Sequence, residues 1–330
     1  MLSRTPRPSR RSLLLGLAAA ACLSACLSAC RCDPTPSDGP AAGGERPRVT
    51  VSIFPLHDIA RRLGGDRLDV VLLLPPGRSE HSFDPTPREM AQVAKSRLGI
   101  SVGLGMDAWL EKVVRGAAGP DVPILQLAPR VGPRRMTAEE IGAEEAEHGD
   151  KDHDHDHDHD HGAEDPHFWL DPVRMKEAAA AMTQAFEALD PEGAPGYRAR
   201  QAAVAQDLDR LHAELEGRSK AWTKRTILTF HGSMGYFADR YGLTIAAVIE
   251  PFPGREPTPR YLQQVLGVIE KTRPAALFSE PQLDRRPAQV IADQAKLPLF
   301  ELDPVGGGPG AESYEALLRR NAEVLDRALK

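Results

Sequence analysis

The feature that most restricts the fold is an alternation that runs twice. Short β-branched and apolar stretches of strand length alternate with stretches of helix length, and the pattern restarts after residue 226. Strands separated by helices pair in parallel and place the helices on the sheet faces. In the first block the strands fall at Val49 to Phe54, Leu68 to Leu74, Leu98 to Val102 and Val122 to Leu127. Leu68 to Leu74 is apolar on both faces, as expected of a parallel strand buried between helices. Helices are predicted over Leu56 to Leu63 and Ala108 to Gly116, and another opens at Thr86-Pro87-Arg88-Glu89, where Thr86 and Glu89 fit a capping box and Pro87 the first turn. In the second block strands fall at Thr226 to Phe230, Leu243 to Ile249, Ala275 to Phe278 and Leu299 to Leu302. The helices there are a short one after His231 ending near Gly242, then Pro259 to Thr272, Pro287 to Lys296 and Ser313 to Lys330.

Between the blocks lie a helix over about Val173 to Leu189 and a longer, polar one over about Tyr197 to Trp222. Val204, Leu208, Leu211 and Leu215 form a single stripe on the longer helix. The expected class is therefore α/β: two βα sandwich domains, each a parallel sheet flanked by helices, joined by one long connecting helix. The expected boundaries are 48–195, 196–222 and 223–330. The chain has 330 residues, enough for about two domains of ~150. A net charge of −6 leaves no basic footprint for nucleic acid.

The first residues are not part of this pattern. Arg4, Arg7, Arg10 and Arg11 precede a short apolar run from Leu13 to Ala21, the layout of an export signal over 1–26. Ser9-Arg10-Arg11-Ser12-Leu13-Leu14 also fits a twin-arginine signal. Two Leu-Ser-Ala-Cys repeats follow, each like a bacterial lipobox. Cys26 is the expected acylation site because it lies closer to the apolar run, with Cys30 as the alternative. The following stretch to residue 47 is rich in Pro, Gly, Ser and Ala and reads as a tether over 27–47. The expected product is an exported monomer, anchored by lipid and facing the periplasm or cell exterior. All four cysteines (Cys22, Cys26, Cys30 and Cys32) precede the body, so a metal site in the body must use histidine and carboxylate.

Residues 144–165 hold a run with no apolar period: His148, then strict Asp-His alternation through His153, His155, His157, His159 and His161. Such a run cannot build a core. Imidazole suits zinc, copper and nickel, so the run reads as an accessory loop that gathers metal. Without a metal it is a solvated, charged loop.

Five histidines remain. His212 sits mid-helix among charged residues, as expected of a solvated helix face, and His57 stands at a helix start, where capping or packing accounts for it. His81 and His231 follow strands, and His167 lies in a Pro-flanked turn. Asp303 follows the last strand. Ligands in open α/β sheets collect beyond the carboxyl ends of strands, so these four residues, two from each half, could meet in the interdomain cleft. Three imidazoles and a carboxylate fit tetrahedral Zn²⁺. The spacing alone does not settle this, because no two of them are local neighbours.

Several motifs carry a family resemblance. They are Val51-Ser52-Ile53-Phe54-Pro55-Leu56, Gly77-Arg78-Ser79-Glu80-His81 with Pro85-Thr86-Pro87, and Asp165-Pro166-His167-Phe168-Trp169-Leu170. Phe230-His231 through Gly235-Tyr236-Phe237, and Glu280-Pro281-Gln282 with Leu302-Asp303-Pro304, complete the set. Over about 48–330 the chain resembles the metal-binding proteins of bacterial ABC importers, the ZnuA-like zinc branch of the cluster A-I lipoprotein family. The resemblance implies metal between two βα domains, held by His81, His167 and His231, with Asp303 in the fourth position and Glu80 or water as alternatives. It implies a permease and its ATPase as partners, and it accounts for a His/Asp-rich insertion before the second histidine. Manganese binders are similar but carry a carboxylate at the third position; imidazole there favours Zn²⁺ over the harder Mn²⁺. Glu280 and Gln282 are expected to shape the cleft wall or to support a ligand. A zinc hydrolase shares a donor set of three histidines and water, but the chain has no His-Glu-x-x-His, and Glu80 is the only evident base beside a ligand.

Overall fold

The computed structural model describes residues 45–142, 164–251, 254 and 256–330. The expected signal, lipobox cysteines, most of the tether and the His/Asp run lie outside the described residues.

The first sheet contains β1 (Arg48–Val51), β2 (Asp69–Leu72), β3 (Ser96–Ser101) and β4 (Ile124–Gln126), ordered β2-β1-β3-β4 and parallel throughout. The second contains β5 (Thr226–Thr229), β6 (Thr244–Val248), β7 (Leu277–Ser279) and β8 (Leu299–Glu301), ordered β6-β5-β7-β8 and again parallel. The wiring is the same in both halves: the first strand is central, the second pairs on one side and the third on the other. The chain thus reverses its direction of travel across the sheet after the second strand, which opens a crevice beyond the carboxyl ends of the central strands.

Helices cover the sheets because parallel strands need crossovers. In the first half these are α1 (Phe54–Gly64), α2 (Pro87–Val93) and α3 (Ala108–Ala118), followed by the short α4 (Ala138–Ile141). Then come α5 (Pro172–Leu189) and the long α6 (Ala194–Ser219). The second half adds α7 (Gly235–Tyr241), α8 (Pro259–Thr272), α9 (Arg285–Ala295) and α10 (Tyr314–Leu329). The capping box at Thr86 and Glu89 forms, and a second one joins Thr137 and Glu140 at the start of α4.

α6 buries Val204, Leu208, Leu211 and Leu215, the stripe read from the sequence, together with Tyr197. It begins three residues earlier than that stripe suggested. Pro195 stands in its first turn, where a missing N–H costs no intrahelical bond. It ends at Ser219, and Trp222 lies beyond it with its indole N–H on Asp326 Oδ1 at 2.7 Å.

α10 packs back on α1 and α6, so the end of the chain braces the first half. The Tyr314 amide donates to buried Asp58 Oδ2 at 3.1 Å, and Arg62 reaches both Asp207 at 2.5 Å and Glu315 at 2.7 Å. Tyr314 Oη donates to the Trp169 carbonyl at 2.7 Å, and Trp169 Nε1 donates to the Pro304 carbonyl at 2.7 Å. These buried bonds, each contributing about 0.5–1.5 kcal/mol net, tie the loops around the crevice to one frame. His57 is half-buried on α1. His212 departs from the expected solvated face: it is half-buried, with its ring 5.9 Å from that of Tyr241 and Nδ1 3.3 Å from Tyr241 Oη.

Candidate metal centre

His81 lies in the loop between β2 and α2, His167 between Pro166 and a 3₁₀ turn over Phe168–Leu170, and His231 two residues past the end of β5. Their ring centroids are 5.7, 4.8 and 4.9 Å apart, and one nitrogen from each lies within 4.8 Å of the others. No other group of three or more His, Cys, Asp or Glu side chains among the described residues meets that condition. His167 and His231 are buried; the side chain of His81 is 20% exposed. The remaining expected ligands, Glu80 and Asp303, are buried too, but no carboxylate oxygen is grouped with the three nitrogens.

Two of the rings are held from behind by carboxylates. Asp165 Oδ1 accepts both the His167 Nδ1–H at 2.8 Å and the His167 amide at 2.9 Å. With Nδ1 thus the donor, His167 presents an unprotonated Nε2, which is buried without a hydrogen-bond partner. Glu280 accepts from His231 Nδ1 at 3.1 Å and from Ser233 Oγ at 2.6 Å. A carboxylate on the far nitrogen fixes the tautomer and raises the basicity of the imidazole, a support common behind metal-binding histidines. His81 Nε2 is likewise buried without a hydrogen-bond partner and stands 3.7 Å from Glu80 Oε1. Buried polar nitrogens are rarely left unpaired. Two converging on one point, beside a third imidazole, form a cradle suited to a cation that prefers nitrogen.

The charges follow from burial and spacing. Burial, then repulsion from His231 and His167, holds His81 well below the ordinary imidazole pKa. Burial also lowers His167, against the pull of Asp165. His231 goes the other way: burial opposes its charge, but Glu280, with Glu80 and Asp165, outweighs that and raises it. Burial, with Glu280 and Asp303 nearby, pushes Glu80 up to about 7.

Asp303 has a second task. Its Oδ1 accepts from Gln282 Nε2 at 2.7 Å and from the Val305 and Gly306 amides at 3.0 and 2.9 Å, which shapes the turn after β8. Glu280 and Gln282 therefore support other side chains, the former a histidine and the latter Asp303. Sequence reasoning missed three participants. Trp109 Nε1 donates to the Glu80 carbonyl at 2.9 Å while its ring meets Phe83 edge-on at 4.8 Å. Ser233 bonds Glu280. Arg134 bonds Asp165 Oδ2 at 2.7 Å.

The family model described as ZnuA, zinc-uptake complex component A, periplasmic, matches residues 49–328. The chain belongs to this family. The high-affinity zinc uptake system protein ZnuA of Brucella abortus (strain 2308) is 29% identical over 315 residues, covering 88% of this chain and 94% of that protein. The manganese-binding lipoprotein MntA of Halalkalibacterium halodurans is 23% identical, covering 87% of this chain and 89% of its own. A crystal structure of ZnuA superposes with a TM-score of 0.73 at 25% identity, covering 87% of this chain and 100% of the other. The fold expected from the sequence is the fold of this family: two parallel four-stranded sheets flanked by helices, with one long helix. The family comprises extracytoplasmic, metal-binding receptors of ABC importers, with a permease and an ATPase as partners, and is not one of enzymes. The hydrolase alternative is thereby set aside. No described helix is long and apolar enough to cross a membrane.

Proposed function

We propose that this protein captures Zn²⁺ outside the cytoplasm and hands it to a membrane ABC permease. His81, His167 and His231 are the ligands in this reading. The observation that supports it most is the convergence of three imidazole nitrogens within 4.8 Å, two of them buried and without hydrogen-bond partners. An all-imidazole triad favours Zn²⁺, since Mn²⁺ prefers carboxylate, carbonyl and water oxygens. Manganese is the alternative cargo, and competition between the two ions for purified protein decides between them.

A carboxylate completes the shell. Asp303 is the other candidate, but its Oδ1 ties the turn after β8 and neither of its oxygens is grouped with the three imidazole nitrogens. Glu80, with an oxygen 3.7 Å from His81 Nε2, is better placed, and we assign it the fourth position. The histidines from His148 to His161 would collect zinc more weakly beside the site. Lipid attachment at Cys26, or Cys30, would hold the receptor monomer at the membrane. Calorimetric titration tests the core of the proposal. One tight zinc equivalent is expected, lost on replacing His81, His167 and His231 together by Ala, whereas deleting 148–161 removes only weaker equivalents. Tight stoichiometry unchanged by the triple replacement would sink the assignment.

A further inference from the structure

Arg134 sits outside the cradle, on the segment before α4, yet it joins more of the site's frame than any ligand does. Its Nη1 donates to Asp165 Oδ2 at 2.7 Å and to Glu140 Oε1 at 3.1 Å, and its Nη2 lies 3.0 Å from Glu140 Oε2. Its Nε reaches Asp239 Oδ2 on α7 at 2.8 Å. Its backbone amide donates to Tyr236 Oη at 2.9 Å, and its carbonyl accepts the Asp165 amide at 2.8 Å. Only 13% of this side chain is exposed, and Asp165 is fully buried.

The two oxygens of Asp165 divide their work: Oδ1 accepts both His167 donors, and Oδ2 accepts Arg134. A carboxylate held at one oxygen by a planar guanidinium has little freedom to rotate, so its other oxygen stays aimed at Nδ1. The chain makes room for this fork. A methyl group at Gly235 would overlap the Arg134 guanidinium and come within 2.6 Å of Asp165 Oδ2 and 2.7 Å of Glu140 Oε1. Gly235 thus opens a notch in the second half into which a side chain of the first half fits.

We infer that Arg134, seated over Gly235, is a positioning residue: it locks Asp165 so that His167 is held as the Nδ1–H tautomer with Nε2 turned toward the metal. The inference rests on the zinc-binding reading for its effect on affinity, and on this geometry alone for its effect on His167.

Arg134→Ala removes the fork. Gly235→Ala leaves Arg134 in the chain but displaces it, and so tests placement rather than presence. Arg134→Lys restores charge without the planar geometry, and Asp239→Ala removes only the outermost, exposed partner. Two measurements are made on each: long-range ¹H–¹⁵N spectra of the histidine rings in metal-free protein, and zinc affinity against a competing chelator. In wild type the His167 pattern should be that of a single Nδ1–H tautomer. In Arg134→Ala and Gly235→Ala it should become a mixture, with zinc bound up to about 10-fold more weakly, the low end for losing a ligand's direct partner, because Arg134 acts one bond further out. Arg134→Lys should fall between, and Asp239→Ala should stay within about twofold of wild type on the same scale. An unchanged His167 tautomer in folded Arg134→Ala or Gly235→Ala overturns the inference even if affinity falls, because a merely structural role would not select the tautomer. Wild-type affinity in both overturns it as well. If wild-type protein takes up no zinc, the metal reading fails alone, and the spectra of metal-free protein still decide the role of Arg134.

Discussion

The three histidines of the cradle are supported in two different ways. His167 and His231 are buried and lean on carboxylates, 2.8 and 3.1 Å from Nδ1. His81 is 20% exposed, and the restraint on its loop acts on the backbone next to it, through the Trp109 indole on the Glu80 carbonyl. Two of the proposed ligands, one from each half, are thus held in place without metal, while the third stands on a loop and is partly exposed. Preorganised donors bind tightly because little freedom is lost on binding. His81 Nε2 is itself buried, but a ligand whose side chain is 20% exposed on a loop would give the ion a way in and out without prising the halves apart. That suits a frame stitched across its halves by Trp169–Pro304 and Arg240–Asp171 bonds.

The largest test of this contrast replaces the ligands one at a time. After loss of all three, which should abolish tight binding, the single changes should divide unequally. His167→Ala and His231→Ala should each cost at least about tenfold more zinc affinity than His81→Ala, roughly 1.4 kcal/mol. His231→Ala also strands buried Glu280 without its imidazole, and an unpaired buried charge is expensive, whereas Asp165 keeps its ion pair with Arg134. Equal losses in chelator competition would mean that the carboxylates add nothing to the ligands they touch.

Glu280→Gln comes next. It keeps the shape and an acceptor oxygen but removes the charge behind His231, and zinc binding should weaken about tenfold, the low end for such partners. It should also drop the pKa of His231, because burial would then act with less opposition. An NMR titration of metal-free protein reads that directly; a His231 that titrates no lower than in wild type would detach Glu280 from this role.

How much of this was legible beforehand follows the range of the interactions. The strands, the stripe on α6 and the Thr86 capping box were readable because their signals span a few residues. His81 and His231 were readable because they follow strands, and His167 because it stands in a Pro-flanked turn; their meeting at one place took the fold. Asp165 stood in a motif, but its task did not, and Arg134 gave no signal: its partners Asp165 and Asp239 are 31 and 105 residues away. Ser233 and Trp109 were silent for the same reason. The turn that Asp303 ties was not legible, because a carboxylate after a strand serves equally as a ligand, and its contacts with the Val305 and Gly306 amides are local bonds that the sequence allows without announcing.

Acidity separates the ligands further and bears on the fourth one. Metal competes with protons, so affinity falls as pH drops below the pKa of any ligand in the metal-free protein. His231 is raised above 6.5, whereas His81 and His167 lie below it. Below its raised pKa, His231 must lose a proton to bind metal, and it contributes up to about one decade in Kd per pH unit. Glu80, pushed up to about 7, adds a second decade below that pH if it ligates as an anion. The slope should then be steeper in wild type than in Glu80→Gln, by up to about one decade per pH unit. A slope that Glu80→Gln leaves unchanged would return the fourth position to Asp303 or water.

The smallest expected effect tests the loop itself. Trp109→Phe keeps an aromatic ring against Phe83 but deletes the donor to the Glu80 carbonyl. One neutral hydrogen bond contributes about 1 kcal/mol net, so equilibrium affinity should fall about fivefold or less. The contrast between ligands predicts where that loss appears. If His81 is the donor through which the ion leaves, a looser loop should speed zinc release by nearly the whole factor, with the association rate almost unchanged. Stopped-flow release into excess chelator measures this. A Trp109→Phe protein that releases zinc at the wild-type rate, while a change behind His167 accelerates release, would place the exit on the prealigned side and reverse the roles assigned to the two kinds of ligand.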